Sequence, residues 1–336
     1  MRWLNSARVI AIFSVVLLHV SSRVIIWSDL GSYSWWYANL YDSVVRWCVP
    51  VFVMISGALL LDPRKEEPLD VFYRKRGSRV LIPLIFWSAF YLVWDFARSN
   101  LKGEPKSVYD LAISFVSGKP YFHMWFLFML LGLYFVTPFI RKVVSHSSNR
   151  ELWVLSITLL GVSCLSAYFS GRYDLVNDSI FLVWFIPYIP YFIIGYLLMS
   201  ENLVSTFWWG VGFIISFLLT AVWYFHCAKE YGNISGLYPY NYTSITVMVM
   251  SISAFQLLKK VNLSFLSDSQ LKSIASLTLG VYLIHPILLD VSNAVGLKPV
   301  SFLPLVSIPV ATIVIFMLSL AGAFVCSRIP FLRRTI

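Results

Sequence analysis

The chain has 336 residues, of which 59% are hydrophobic and 12% are charged, whereas soluble domains are about 25% charged. This composition excludes an ordinary soluble domain and indicates a polytopic membrane protein. The net charge of +10 does not indicate nucleic-acid binding, because the positive residues fall in short segments between apolar runs, where they set the orientation of membrane helices.

Apolar windows of about 20 residues predict about ten transmembrane helices. If both termini are cytoplasmic, Lys and Arg are in excess on the inside, as the positive-inside rule requires. We therefore expect an all-α integral membrane bundle with both termini cytoplasmic. It should form one domain over 1–336 with no soluble periplasmic extension. The predicted spans are 7–27, 40–61, 80–97, 123–140, 152–170, 181–199, 206–225, 241–258, 275–293 and 304–325.

The first span carries two residues that are costly to place in hydrocarbon. Arg8 lies near its start, and His19 follows eleven positions later, roughly 16 Å further along a helix. An arginine at one membrane face would therefore put the histidine near mid-depth. Since titratable residues inside a membrane usually serve a functional site, we interpret the pair as one end that binds a ligand and one end that reacts with it.

The segment after the second span is strongly basic, with Arg74, Arg76 and Arg79 close together. One interpretation is topology plus attraction to anionic lipid. The other is a phosphate site, because several guanidinium groups at one membrane face can bind phosphates. A cytoplasmic, nucleotide-bearing donor would fit the second interpretation.

Two later spans also contain histidines. His285 lies about ten residues into the ninth span, roughly 15 Å from its start and so at a depth similar to that of His19. Pro286 follows it and is expected to open the helix locally. His123 and Trp125 begin the fourth span, which predicts a position at its outer mouth. The alternatives are hydrogen bonds that only stabilise helix packing, for His19 and His285, and an ordinary interfacial position for His123.

Other polar residues give weaker signals. Five aspartates near predicted outer helix ends could bind hydroxyl groups of an acceptor, and nothing in the sequence ranks them. The four cysteines are scattered without a CxxC pair, so neither a disulfide framework nor a thiolate metal site is indicated, and no metal is expected. The aspartates are Asp42, Asp95, Asp174, Asp178 and Asp290.

Taken together, these segments resemble the membrane acyltransferase-3 family. The resemblance touches five spans in order, and the most similar members are stand-alone bacterial enzymes that O-acetylate O-antigen or enterobacterial common antigen. It rests on Arg8 and His19 with ten residues between them, Pro50-Val51-Phe52 through Ser56-Gly57, the cluster from Arg74 to Arg79 leading to Pro83, His123-Met124-Trp125-Phe126, and Tyr282-Leu283-Ile284-His285-Pro286.

The resemblance implies transfer of an acetyl group from cytoplasmic acetyl-CoA, the acyl-donor substrate, to a sugar hydroxyl of a lipid-linked glycan. The reaction would take place at the periplasmic side of the bacterial inner membrane. His19 would be the catalytic residue, either as a general base or as a nucleophile that becomes acetylated. His285 would stabilise the oxyanion. CoA would be bound by Arg8, Arg74, Arg76 and Arg79, and the acceptor would enter past His123 and Trp125.

Two alternatives come from other classes of protein. A transporter or flippase for a lipid-linked saccharide would need a continuous polar path across several helices, whereas buried charge is sparse here and the cations crowd one face. In a structural membrane protein whose arginines only bind anionic lipid, the mid-depth histidines would have no function. Within the enzyme class, a succinyl donor and a peptidoglycan or exopolysaccharide acceptor remain open.

Overall fold

The computed structural model describes residues 2–65, 67–172, 180–200 and 204–336, and these residues form an all-helical bundle. Short 3-10 turns connect some of the helices. Over the described ranges the α-helices are α1 (Arg2–Trp27), α2 (Tyr33–Ser43), α3 (Cys48–Leu60), α4 (Leu69–Leu101), α5 (Val108–Val116), α6 (Trp125–His146), α7 (Asn149–Arg172), α8 (Ile189–Ser200), α9 (Thr206–Tyr231), α10 (Ile245–Leu258), α11 (Asp268–Ser276), α12 (Thr278–Ala294) and α13 (Pro304–Arg328).

Eight stretches in the described part of the chain are long and apolar enough to cross a bilayer. The number of candidate spans is nine if α11 and α12, which meet at an angle of 56°, are counted as one span. The predicted all-α, multi-span architecture is therefore confirmed. The cytoplasmic location of the termini stays a prediction.

The predicted span at 241–258 is shorter in the structure than its composition indicates. Helix α10 has 14 residues, about 21 Å, whereas the hydrocarbon core is about 30 Å thick. Polar side chains delay its start: Asn241 Oδ1 accepts the Thr243 N–H at 2.9 Å, and the Ser244 side chain caps the helix. An apolar window cannot detect this capped turn.

Helix α12 continues through Pro286, so the expected local opening at this proline is wrong. The bend lies earlier, between Ser276 and Thr278. Proline offers no N–H to the preceding turn, but His285 Nδ1 lies 3.1 Å from the Val281 carbonyl in that same turn. This side-chain bond supplies a polar contact where the proline weakens the backbone ladder.

Helix α4 is long enough to carry its arginines outside the hydrocarbon. Its 33 residues extend about 50 Å, against a hydrocarbon thickness of about 30 Å. The basic segment occupies its N-terminal part. This end of the bundle, which also includes Arg8 on α1, is called the basic end below.

Two glycines bring α3 and α8 into backbone contact. A Cβ atom on Gly57 would lie 1.8 Å from the Phe192 carbonyl oxygen, and one on Gly195 would lie 2.0 Å from that of Met54. Small residues permit such close approach in membrane bundles. This contact fixes α3, whose C-terminal end leads into the connection between α3 and α4.

Candidate active site

Three histidines from separate parts of the chain form one cluster inside the bundle. His19 on α1 stacks on His285 of α12, with ring centroids 5.2 Å apart and planes at 24°. His123, in the turn before α6, lies 5.8 Å from the His285 ring. His285 is 0% and His123 2% exposed, whereas His19 is only partly buried. We call these three residues the histidine cluster.

The hydrogen bond of His285 fixes which of its ring nitrogens can react. Its Nδ1 lies 3.1 Å from the Val281 carbonyl, and since a carbonyl can only accept, Nδ1 carries a proton. Its Nε2 is buried without a partner among the described residues. In the neutral ring this Nε2 holds a lone pair, so it accepts a proton, and it donates only from the imidazolium.

His123 lies inside the bundle, which corrects the expectation that it sits at an outer mouth. Helix α6 begins only at Trp125, and the turn before it enters the core. The Tyr282 hydroxyl donates to the His123 carbonyl, and the Tyr91 ring packs edge-on at 4.8 Å. Both ring nitrogens of His123 are buried without a hydrogen-bond partner in the described part of the chain.

Three arginines at the basic end interact with one tyrosine. Tyr134 on α6 is hydrogen-bonded to Ser56 of α3 and interacts electrostatically with Arg76, Arg8 and Arg79. Arg76 and Arg79 share a face of α4 because they are three residues apart. Arg8, Arg76 and Arg79 are called the arginine group. Arg74 is exposed, and its two-residue spacing from Arg76 places it about 200° around the helix.

Two other cations near the basic end pair with carboxylates. Arg64 pairs with Asp62 at 2.9 Å, and Lys75 pairs with Glu67, whose pKa is lowered by this hydrogen bond. By contrast, no carboxylate among residues 2–65, 67–172, 180–200 and 204–336 forms an ion pair with the arginine group. The buried Nε of Arg76 also lacks an acceptor among these residues. Within the described residues the positive charge of the group is therefore not neutralised by a salt bridge.

Sequence reasoning missed Arg141 at the same end. Its guanidinium donates to the Leu60 carbonyl at 2.8 and 3.0 Å and to the Lys65 carbonyl at 2.8 Å. Arg141 thus holds the start of the connection between α3 and α4 against α6. Its position at the end of the fourth predicted span, beside Lys142, was a usable signal.

A cavity of about 1330 Å³ borders the turn that carries His123, since Tyr121, Phe122 and Trp125 line it. Trp125 lies in its wall and stacks on Tyr242 at 5.8 Å and 25°. Three serines spaced along one face of α7 supply hydroxyl groups to the wall; they are Ser163, Ser166 and Ser170. Aromatic faces with a few placed polar groups are typical of small-molecule sites. We call this space the aromatic cavity.

An ion pair inside the second span supports the cavity wall and was not singled out from the sequence. Arg46 pairs with the fully buried Asp42 at 2.5 Å and lies 3.9 Å from the Tyr240 ring centroid. The Tyr240 hydroxyl bonds Asn39 Oδ1 at 2.5 Å. Opposite charges four residues apart in an apolar helix were the available signal.

The aspartates proposed as acceptor ligands already have partners where the structure describes them. Asp42 pairs with Arg46, and Asp95 pairs with Arg98 and Lys106. Asp290 pairs with Arg23 and Arg98. Asp174 and Asp178 lie outside the described residues.

Phe122 connects the cluster to the cavity. Its ring packs edge-on against His19 at 5.1 Å and also lines the aromatic cavity. Arg8 lies on the same helix as His19, roughly 16 Å away. The arrangement thus places the arginine group, the histidine cluster and the aromatic cavity in sequence through the bundle. It can hold a charged donor at one end and a hydroxylated acceptor at the other, with bases between them.

Comparison with known proteins agrees with this arrangement. A family profile described as "Acyltransferase domain" (acyltransferase-3) matches residues 1–328. The chain is 25% identical over 173 residues to the "Putative membrane-bound acyltransferase YfiQ" of Bacillus subtilis; the match covers 49% of this chain and 45% of that protein, so it spans less than half of the relative's length. No solved structure matches the chain. Because the profile extends over nearly all of its residues, this chain belongs to the acyltransferase-3 family of membrane acyltransferases.

Proposed function

We propose that this protein transfers an acetyl group from cytoplasmic acetyl-CoA to a sugar hydroxyl of a lipid-linked cell-surface polysaccharide, such as O-antigen, at the periplasmic side of the bacterial inner membrane. The observation that carries the proposal is the histidine cluster between the arginine group and the aromatic cavity. A donor at one end and an acceptor at the other would meet at His19.

The donor end suits the phosphates of CoA. Guanidinium groups bind phosphates through paired, charge-assisted hydrogen bonds. Arg8, Arg76 and Arg79 all interact electrostatically with Tyr134 and form no salt bridge with a carboxylate of the described ranges. The thioester would extend along α1 from Arg8 toward His19, a distance of roughly 16 Å.

The cluster supplies the acid and base for the transfer. Neutral His19 takes the proton of the acceptor hydroxyl while the oxygen bonds to the thioester carbon. The tetrahedral intermediate then collapses, the carbon–sulfur bond breaks, and the thiolate takes the proton back from His19. A donor toward the oxyanion would strengthen this step. His285 Nε2 would supply it only after His285 takes up a second proton, a charge that its burial opposes. The alternative path forms an acetyl–His19 intermediate while the thiolate leaves with the His19 proton, so in the absence of acceptor it would release a burst of free CoA.

The test is transfer of labelled acetyl from acetyl-CoA into the lipid-linked glycan fraction of membranes that contain the full chain. Label should enter saccharide with the parent protein and not with membranes that lack it. Absence of label with every O-antigen-type acceptor, while the protein is folded and inserted, would contradict the proposal. If label entered saccharide from succinyl-CoA and not from acetyl-CoA, the donor would be succinyl-CoA.

The arginine group makes a separate prediction about donor binding. Arg76→Ala is expected to raise the KM for acetyl-CoA about 10-fold or more, because a charge-assisted hydrogen bond contributes about 1.5–3 kcal/mol. The KM for the acceptor should stay the same. Steady-state kinetics with each substrate varied in turn provides the measurement. Arg150→Ala is the matched control, because Arg150 is an exposed arginine at the start of α7. An equal rise in the KM for acetyl-CoA in both variants would mean that Arg76 does not bind the donor.

The aromatic cavity makes the complementary prediction. Trp125→Ala is expected to raise the KM for the glycan acceptor about 10-fold, since a buried aromatic contact carries a large share of binding energy, and to leave the KM for acetyl-CoA unchanged. Trp208→Ala, a tryptophan on α9 with 62% of its surface exposed, controls for general effects on the bundle. A change in the donor KM alone would place the acceptor elsewhere.

A further inference from the structure

One carboxylate outside the histidine cluster uses all of its hydrogen-bonding capacity. Asp290 on α12 is 7% exposed. Its Oδ1 accepts from Arg23 at 2.8 Å and from Arg98 at 3.2 Å. Its Oδ2 accepts from Trp94 Nε1 at 3.0 Å and from the Tyr121 hydroxyl. An ionised carboxylate offers about four acceptor positions, so this group has no position left for a substrate.

Two of the four partners of Asp290 belong to elements that carry histidines of the cluster, and Asp290 itself lies on the element of the third. Arg23 lies on α1, about one helical turn beyond His19. Tyr121 lies two residues before His123, and Asp290 itself follows His285 by five residues on α12. Arg23 also donates to the Leu289 carbonyl at 2.7 Å, so α1 is tied to α12 by two bonds from one side chain.

We propose that Asp290 is the positioning residue that holds His19, His123 and His285 in register for acyl transfer. The inference rests on the proposed function, in which the histidine cluster is the reaction centre. Asp290 touches none of the imidazoles; it acts through Arg23 on α1 and through Tyr121 on the His123 turn. Trp94 and Arg98 also donate to Asp290, and they connect it to α4.

Asp290→Asn tests this role because it keeps the shape and replaces an acceptor oxygen with an NH2 group. In one orientation of the amide that group faces Arg23 and Arg98, and in the other it faces Trp94 and the Tyr121 hydroxyl, which alone of the four can turn to accept from it. At least one donor loses its acceptor either way, and both arginines lose the negative charge. Misplacing a catalytic group by about 1 Å can cost about 100-fold in rate. We expect kcat to fall about 10- to 100-fold while the KM for acetyl-CoA stays within about twofold. Asp290→Glu, which restores the charge, should recover part of the rate.

Asp95→Asn is the matched control. Asp95 shares the partner Arg98 and also pairs with Lys106, but in the described part of the chain it forms no salt bridge with a histidine-bearing element. Its kcat should stay within about twofold of the parent value. A similar loss of rate in both variants would mean that the ion pairs act only on overall stability, and the proposal would fall.

A second readout does not depend on catalysis. Diethyl pyrocarbonate modifies imidazole nitrogens, and mass spectrometry of the full chain in detergent gives its rate at each histidine. In Asp290→Asn the rates at His19 and His123 should change several-fold, whereas Asp95→Asn should match the parent. Unchanged rates at all three histidines would overturn the positioning role. If the parent protein transferred no acetyl, the proposed function would fail, and these rates would still decide the role of Asp290.

Discussion

His19→Ala is expected to lower acetyl transfer about 1,000-fold or more, because loss of a general base costs about 100- to 10,000-fold and a lost nucleophile would cost at least as much. His19 is the member of the histidine cluster that is only partly buried, and it contacts the cavity-lining Phe122. Transfer of labelled acetyl by purified, folded protein is the measurement. The KM for acetyl-CoA should change little, since the arginine group binds the other end of the donor.

His146→Ala is the matched control for this result. His146 lies at the exposed end of α6, where its Nδ1 is 2.9 Å from the Lys142 carbonyl, and its replacement should leave transfer within about twofold of the parent. If His19→Ala transferred acetyl at the parent rate, the reaction would take place elsewhere. His285→Ala would then be measured next, because the hydrogen bond of its Nδ1 leaves the lone pair of the neutral ring on Nε2.

Gly57→Ala is expected to prevent correct assembly of the bundle. A methyl group at this position would lie 1.8 Å from the backbone oxygen of Phe192, and a backbone oxygen cannot rotate away as a side chain can. Overpacking of a well-packed interior costs about 1–3 kcal/mol and sometimes more, so we expect a loss of about 3 kcal/mol. Helices α3 and α8 would have to separate. The measurement is the apparent Tm and the fraction of monodisperse protein in detergent.

Gly161→Ala separates this effect from the general cost of changing a helical glycine. A Cβ atom on Gly161, in α7, meets nothing within 4 Å. Alanine is better than glycine in a helix interior by about 0.5–1 kcal/mol, so this variant should be as stable as the parent or more so. If Gly57→Ala were as stable as Gly161→Ala, the close contact between α3 and α8 would not exist in the membrane.

Much of the fold could be predicted because a bilayer imposes a length on every helix. Apolar runs located the long helices, and the rise per residue placed His19 and His285 at similar depths. Their stacked rings agree with that estimate. The depth of His123 could not be obtained in this way. It precedes α6 in a turn, and a turn has no fixed rise per residue from which its depth follows.

Side-chain pairing was harder to predict than helix position. The sequence grouped Arg74 with Arg76 and Arg79, but the helix rotates Arg74 away from the other two, and only the helix bounds made this visible. Asp290 could not be ranked above other aspartates, because its four donors come from positions 23, 94, 98 and 121. Contacts so far apart in sequence follow from tertiary packing and leave no local pattern.

The bond between His285 Nδ1 and the Val281 carbonyl also limits where protons can travel. An imidazole relays a proton when one nitrogen accepts and the other releases. Here Nδ1 faces a carbonyl, which cannot take a proton onward, so a proton that binds Nε2 must leave again from Nε2. His285 can hold a proton for one site, but it cannot pass that proton along a chain of proton-transfer groups across the membrane. Helix α12 therefore suits a local acid–base reaction better than proton-coupled transport.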